Sequence, residues 1–311
     1  MIYTITLNPA VDKVIEFEGL LEREKNNKIR KILYDIGGKG CHVSTILSVL
    51  GIENTATGFA GGNNGDKLIK LLKEKNVKCE FINTETETRE CSILVDGSSA
   101  GSFMVTEPGK LVSDDELEKL MEKIRSEIKE DDIVAFSGSP MPGFSTEKYV
   151  EIIKEIEKTK AKLFIDARDE YLEEAVKFSP FFIKPNKHEF QHLTGKKLES
   201  TEDYVREIKK YMENINIVVV SLGSEGPLVG IKGEGIYSFK PPKVEVVSET
   251  GCGDAFVGGV LAQYYLGKSP VEIFKFATSI SASKATHFLS SDFSIEQTEG
   301  FIDKVQVCKY E

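Results

Sequence analysis

Residues 133–178 read IVAFSGSPMPGFSTEKYVEIIKEIEKTKAKLFIDARDEYLEEAVKF, and the rhythm of this stretch decides the fold class. Ile133–Phe136 is a short β-type run, and Thr146–Glu157 follows it with helical spacing of apolar residues. Leu163–Ile165 then repeats the first element and Glu170–Phe178 the second. Strands alternating with amphipathic helices are joined by right-handed crossovers and lie parallel in one sheet. Further along, Ile217–Val220 is β-branched without interruption, as expected of a strand buried on both faces. Toward the N-terminus the alternation continues. Ile2–Thr6 is a short strand, and Gly40–Leu50 is a helix with Val43, Ile46, Leu47 and Leu50 on one face. Thr55–Phe59 is a strand, and Gly65–Glu74 is a helix whose stripe is Leu68, Leu71 and Leu72. The pattern predicts an α/β protein with a three-layer αβα core.

Two stretches break the rhythm. Val14–Ile36 and Glu90–Val105 alternate with a period of two and have no helix between their strands. In the second, Asp96-Gly97-Ser98-Ser99 reads as a hairpin turn between Ser92–Val95 and Ser102–Val105. Sheet segments inserted into an α/β core suggest a small discontinuous β-lid, at about 12–36 and 88–106; extra edge strands of the main sheet are the alternative. No repeat or linker divides the chain, so residues 1–311 read as one domain.

The composition excludes several functions. The formal net charge of −10 over 311 residues argues against a nucleic-acid backbone or an anionic membrane as main partner. No apolar run approaches the ~20 residues that span a bilayer. The N-terminus lacks the basic segment of a signal peptide, and Asn8-Pro9 interrupts its apolar run early. Five cysteines without Cys-x-x-Cys spacing fit a reducing compartment, and the histidines have no zinc-site spacing. A cytoplasmic location is expected.

Chemistry concentrates in Thr250-Gly251-Cys252-Gly253-Asp254, between the β-type segment Val244–Val247 and the apolar helix Ala255–Leu266. Gly251 and Gly253 let a ligand approach the main chain. The first N–H groups of the helix lack internal partners and favour an anion such as phosphate. Asp254, in the first turn, is placed to accept the proton of an attacking hydroxyl. Loose phosphoryl-transfer transition states ask mainly for positioning and charge stabilisation. Equally, Asp254 can simply cap the helix while the glycines turn the chain. These five residues alone leave both readings open.

The remaining motifs favour the first. Thr6-Leu7-Asn8-Pro9-Ala10-Val11-Asp12, Gly37-Gly38-Lys39-Gly40, Ser137-Gly138-Ser139-Pro140-Met141-Pro142-Gly143, Lys184-Pro185-Asn186-Lys187-His188-Glu189, Ser221-Leu222-Gly223-Ser224-Glu225-Gly226, and Thr250–Asp254 followed by Ala255-Phe256-Val257-Gly258-Gly259 occur in that order. Together they resemble the signatures of the ribokinase-like sugar kinases of the phosphofructokinase-B family, in particular the 1-phosphofructokinase and tagatose-6-phosphate kinase branch. The resemblance spans almost the whole chain. It implies a ribokinase-like fold with a small discontinuous β-sheet lid, ATP and Mg²⁺ as cofactors, a sugar-phosphate substrate, and a homodimer formed through the lid.

The same resemblance assigns roles. Asp254 is the base, in an anion hole of Gly251, Cys252 and Gly253. Asp12 binds sugar hydroxyls, as a carboxylate accepting two hydroxyl bonds can. Gly37 and Gly38 flex at the lid–core junction, with Lys39 near the substrate. This is not a P-loop, because no glycine stands at the required spacing and Gly40 replaces Ser or Thr. Arg89 holds the phosphate already on the substrate, through its planar guanidinium, joined by Lys28, Arg30 and Lys39, and Ser139 lies in a substrate-side loop. On the nucleotide side are Lys184, Asn186, Ser221, Gly223, Gly226 and Gly253, with Glu189 holding Mg²⁺ through water. Asn186 and Glu189 also have the spacing of a capping box. Two positions depart from the branch: His42 stands where asparagine is usual, and Thr45 where a basic residue is usual. His42 is expected to meet sugar hydroxyls in place of the asparagine. Cys252 replaces alanine; a helix N-terminus can lower a thiol's pKa, but inert filling of the loop is the simpler role.

The first-choice reaction is phosphorylation of D-fructose 1-phosphate at O6 to fructose 1,6-bisphosphate, and the second is D-tagatose 6-phosphate at O1 to tagatose 1,6-bisphosphate. A kinase of an unphosphorylated sugar or nucleoside, and a non-catalytic sugar-phosphate sensor, are the rival readings.

Overall fold

The computed structural model describes residues 1–96 and 102–310. Apart from Asp96, the expected turn Asp96-Gly97-Ser98-Ser99 lies outside the described residues.

The main sheet has 11 strands. Its parallel part runs Ile217–Ser221, Phe182–Ile183, Lys162–Asp166, Ile133–Ser137, Ile2–Thr6 and Asn54–Gly61, then the short strands Lys78–Cys79 and Ile82–Thr84. Beyond Ile217–Ser221 it continues antiparallel through Pro227–Ile231, Gly235–Lys240 and Gln306–Lys309. The uninterrupted apolar runs follow from burial on both faces. Val134 and Phe136 enter one core with Leu120, Tyr149, Ile152 and Ile208. Ile133 and Ala135 enter the other with Val43, Leu47, Phe256, Val260 and Phe274. Helices 114–127, 146–158, 169–176, 187–194 and 201–212 thus cover one face, and helices 39–49, 252–265 and 270–285 the other. This is the expected three-layer α/β architecture.

Helices Lys39–Val49 and Cys252–Tyr265 are buried over most of their length, because each packs on the sheet and on the other. Gly258 permits their close approach: a Cβ there would come within 2.5 Å of Ile46 Cγ2. This contact sets the distance between the two helix N-termini and hence the geometry of the site.

A separate four-stranded sheet runs Ile29–Gly37, Ala10–Phe17, Arg89–Val95, Ser102–Thr106. The chain enters it directly from Ile2–Thr6 through Leu7-Asn8-Pro9. Ala10–Phe17 pairs antiparallel with Ile29–Gly37 and parallel with Arg89–Val95, putting Asp12 opposite both Asp35 and Cys91.

One expected strand is absent. Residues 244–247 form no ladder, and Val246 and Val247 are 55 % and 56 % exposed. Gly235–Lys240 already has a partner on each side, so no sheet edge is left for the segment that follows it. Its Val247 N–H instead donates to Ala285 O at 2.8 Å. The helix expected from Ala255 starts at Cys252, which brings Cys252, Gly253 and Asp254 into its first turn.

Candidate active site

The C-terminal ends of the parallel strands, the small sheet and the start of helix Cys252–Tyr265 carry most of the singled-out residues. A loop leads into this helix. Gly251 caps the helix in the left-handed region (φ 85°), and a Cβ there would lie 1.9 Å from Ser290 O. Only glycine fits that conformation against that neighbour. Cys252 N–H turns to Glu249 O at 3.2 Å, so helix geometry leaves Gly253 N–H and Asp254 N–H as the first-turn donors. Burial pushes the Cys252 thiol up, so the helix end does not activate it.

Below the loop, Lys184 from the end of Phe182–Ile183 approaches Gly253; a Cβ on the glycine would be 3.4 Å from Lys184 Nζ. Lys184 Nζ and Lys39 Nζ each lie 3.3 Å from Asp166 Oδ1. Asp166 is 2 % exposed, and its Oδ2 has no hydrogen-bond partner. Burial alone would raise this carboxyl, but the two ammonium groups hold it below its ordinary value. Asp166 in turn raises Lys39. Sequence reasoning missed Asp166, although it directly follows the predicted strand Leu163–Ile165. The strand-end position where α/β ligands gather was the signal that could have found it. Lys39 is thus paired with Lys184 through the Asp166 carboxylate.

The residues expected to meet the sugar lie on or beside the small sheet. Asp12 is buried, and no hydrogen bond to its carboxylate is found among the described residues. Burial pushes it up to about 6, the facing Asp35 adds to the rise, and His42 and Arg89 oppose it. Gly37 abuts Asp12, since a Cβ on it would be 2.3 Å from Asp12 Oδ1. Gly38, at φ 101°, is the N-cap of the helix carrying Lys39 and His42. Arg89, at the end of its strand beside Ala10, donates to Asn8 O through Nε and Nη2 and to Glu107 O through Nη1.

His42 differs most from expectation. Its Nδ1 is 2.6 Å from Asp254 Oδ2 and its Nε2 is 2.9 Å from Ile36 O. Helix Lys39–Val49 turns it to the Asp254 carboxylate as well as toward Asp12. Thr45 lies in the buried interior of that helix, with Oγ1 donating to Cys41 O, and does not reach the sugar side.

Lys28 and Arg30 are not brought to Arg89 within one chain. Ala10 pairs with Arg89 and Gly37 at one end of the small sheet and Phe17 with Ile29 at the other, about 20 Å apart at ~3.3 Å per residue. Both side chains are exposed there. Ser139 Oγ accepts from Arg168 Nε at 3.0 Å.

Among the residues expected to meet the nucleotide, an isolated parallel bridge joins Asn186 to Ser221. Asn186 Oδ1 accepts from His188 N and Glu189 N, and Glu189 Oε2 accepts from Asn186 N at 2.7 Å. The capping box is therefore formed. Gly223 opens a short 3-10 turn and Gly226 follows it at φ 83°. Lys284, entirely buried, donates to Ser248 O and His287 O and braces the segments on either side of Gly251. Nothing in its sequence context marked it.

A cavity of about 480 Å³ lies at the opposite end of the sheet, lined by Asp131, Lys162, Asn216, Lys232 and Tyr264. It is remote from all of these residues.

Residues 5–297 match the family model described as pfkB family carbohydrate kinase. The chain belongs to this family. It is 31 % identical over 287 residues to a 1-phosphofructokinase of Borreliella burgdorferi, covering 92 % of each chain. With a 1-phosphofructokinase of Bacillus subtilis it shares 30 % identity over 299 residues, 96 % of this chain and 97 % of the relative. Among solved structures, phosphofructokinase-2 from Escherichia coli in complex with potassium superposes with a TM-score of 0.92 at 26 % identity, covering 97 % and 98 % of the two chains. The protein is a phosphotransferase with a hydroxyl acceptor, and sugar kinases of this family draw on ATP. Among the described residues, no helix of this kinase is long and apolar enough to cross a membrane.

Proposed function

We propose that this kinase transfers the γ-phosphoryl group of ATP to O6 of D-fructose 1-phosphate. The carrying observation is Asp12, a buried carboxylate that accepts no hydrogen bond among the described residues and feels the charge of Asp254 at a helix N-terminus. An unpaired buried carboxylate is costly, and two sugar hydroxyls would offset that cost. Arg89 stands beside it for the resident phosphate, with part of its five-donor fork still free beyond the two carbonyls it meets. The 1-phosphofructokinase names of the two sequence relatives support the choice of sugar.

In this reading Asp254 orients the acceptor hydroxyl and takes its proton. Gly253 N–H, Asp254 N–H and Lys184 stabilise charge on the transferring group. Asn186, Ser221, Gly223 and Gly226 shape the nucleotide side. The residues present fit Mg²⁺: Asp166 Oδ2 is a buried oxygen without a partner, and Glu189 is nearby in the charge field of Lys39. Asp166 and Glu189 would hold the hydrated ion, which neutralises phosphate charge when bound.

The small sheet acts as a lid. Its Phe103 and Val105 are 60 % and 56 % exposed, with Ile29, Ile32, Tyr34 and Met104 also uncovered, an apolar surface that a second copy would bury. Such a dimer also offers the one route by which Lys28 and Arg30 could serve a neighbouring site. A strictly monomeric mass in solution would remove it.

The deciding experiment is parallel turnover of fructose 1-phosphate, fructose 6-phosphate and tagatose 6-phosphate with ATP and Mg²⁺. Preference for the first is expected, and preference for tagatose 6-phosphate selects O1 phosphorylation instead. No ADP release with any of them rejects the ketohexose-phosphate kinase reading of the site and favours an unphosphorylated acceptor or a sugar-phosphate sensor.

A further inference from the structure

We propose that His42 is a positioning residue for phosphoryl transfer: clamped between Asp254 and the Ile36 carbonyl, it shares one proton with Asp254 Oδ2 and leaves Oδ1 for the acceptor hydroxyl. The inference rests on the kinase reading above for its consequence, though the pair itself stands on geometry alone.

Both contacts are short, at 2.6 Å to Asp254 Oδ2 and 2.9 Å to Ile36 O, and both residues are 6 % exposed. A backbone carbonyl only accepts, so Nε2 carries a hydrogen. The Nδ1–Oδ2 contact needs a second one. The pair is therefore either imidazolium with carboxylate or neutral imidazole with carboxylic acid, with the same proton count. The surroundings select the first. Three carboxylates face the ring: Asp12 on Ala10–Phe17, Asp35 on Ile29–Gly37 and Asp254 on Cys252–Tyr265. Arg89 acts on this cluster through Asp12, and Asp292 and Lys75 act through Asp35. Burial alone would favour the neutral ring, but the Asp254 hydrogen bond and the three carboxylates push His42 up to about 9.

The clamp is rigid. His42 N–H closes the first turn of its helix on Gly38 O at 2.9 Å, and the Gly258–Ile46 contact holds that helix against the one carrying Asp254. Among the described residues Asp254 makes one side-chain hydrogen bond, through Oδ2. In the transfer, the acceptor oxygen forms a bond to Pγ, and the bond from Pγ to the β-phosphate oxygen breaks with its electron pair leaving on ADP. The hydroxyl proton passes to Asp254 Oδ1. An imidazolium on Oδ2 fixes the orientation of Asp254, and a loose transition state asks above all for such positioning.

Loss of the shared proton breaks the clamp, because both ring nitrogens then face acceptors with one hydrogen between them. The expected kcat/KM profile of the wild type declines above a midpoint near 9. His42→Asn keeps a donor at the Nδ1 position and cannot ionise. It should retain kcat within about 10-fold and lose the alkaline limb, whereas His42→Ala should lose kcat by about 100-fold with a smaller change in KM. Persistence of the limb in His42→Asn, or wild-type kcat in His42→Ala at an unchanged melting temperature, would overturn the proposal. A second readout does not depend on activity. In ¹⁵N-histidine-labelled protein, with His42→Asn assigning the signal, both His42 ring nitrogens should be protonated at pH 7.5 and lose a proton near pH 9. A single neutral tautomer at pH 7.5 would sink the idea even if the kinase reading survived. A protein that turns over no ketohexose phosphate would sink the ketohexose-phosphate kinase reading while the spectrum still decided on the pair.

Discussion

Asp12→Asn should make the protein more stable and a poorer enzyme. Asp12 sits opposite Asp35 in the small sheet, and burial raises its carboxyl from 3.8 to about 6. A raised carboxyl favours the protonated form on folding. Its contribution is therefore fully retained below pH 3.8 and is lost as the pH rises through about 6. Two pK units are worth about 3 kcal/mol at 1.36 kcal/mol each, and the opposing pull of His42 is already included. Asparagine cannot ionise, so at pH 7.5 the variant should gain up to that amount. For 311 residues, with ~2.1 cal/mol/K of unfolding entropy each, this raises Tm by about 4–5 °C. Loss of charged hydroxyl contacts of about 1.5–3 kcal/mol each should raise KM for the sugar phosphate at least 10-fold. The assay is a pair of melting curves at pH 4 and pH 7.5, with kinetics at the higher pH. A Tm difference of the same size at both pH values, or a destabilised variant at pH 7.5, would refute the reasoning.

Other substitutions test the rest of the site. Asp254→Asn should lower kcat by about 10²–10⁴-fold without lowering Tm, read as ADP release; residual activity within tenfold of wild type would exclude the assigned base. Arg89→Ala should raise KM for a ketohexose phosphate by more than tenfold while leaving any activity on the unphosphorylated sugar unchanged. An unchanged KM would point to a kinase of unphosphorylated sugars. Gly251→Ala places a Cβ 1.9 Å from Ser290 O at φ 85° and should cost both activity and about 1–3 kcal/mol of stability, measured by denaturant titration. Lys284→Met keeps the apolar stem but strands the Ser248 and His287 carbonyls. It should destabilise by about 1–3 kcal/mol, with wild-type melting as the contrary result.

The layered core was legible because residues that alternate between two cores leave continuous apolar runs, as Ile133–Phe136 and Ile217–Val220 do, and helices facing water on one side leave stripes. Local chemistry also singled out the Thr250–Asp254 loop: glycines, a helix start and a carboxylate lie within five residues. Val244–Val247 misled, because β-propensity without a free sheet edge makes no strand. Asp166, Lys284 and the role of His42 were hidden for a different reason. Each is defined by partners far along the chain: Asp166 by Lys39 and Lys184, Lys284 by two loop carbonyls, His42 by Asp254 across 212 positions. Sequence by itself determined which groups this protein owns and which local conformations hold them. Only the packing of helix Lys39–Val49 against Cys252–Tyr265 decided that an imidazole would meet the Asp254 carboxylate. A side chain's charge state and direction depend on the neighbours that desolvate and bind it, and those neighbours are chosen by the tertiary fold.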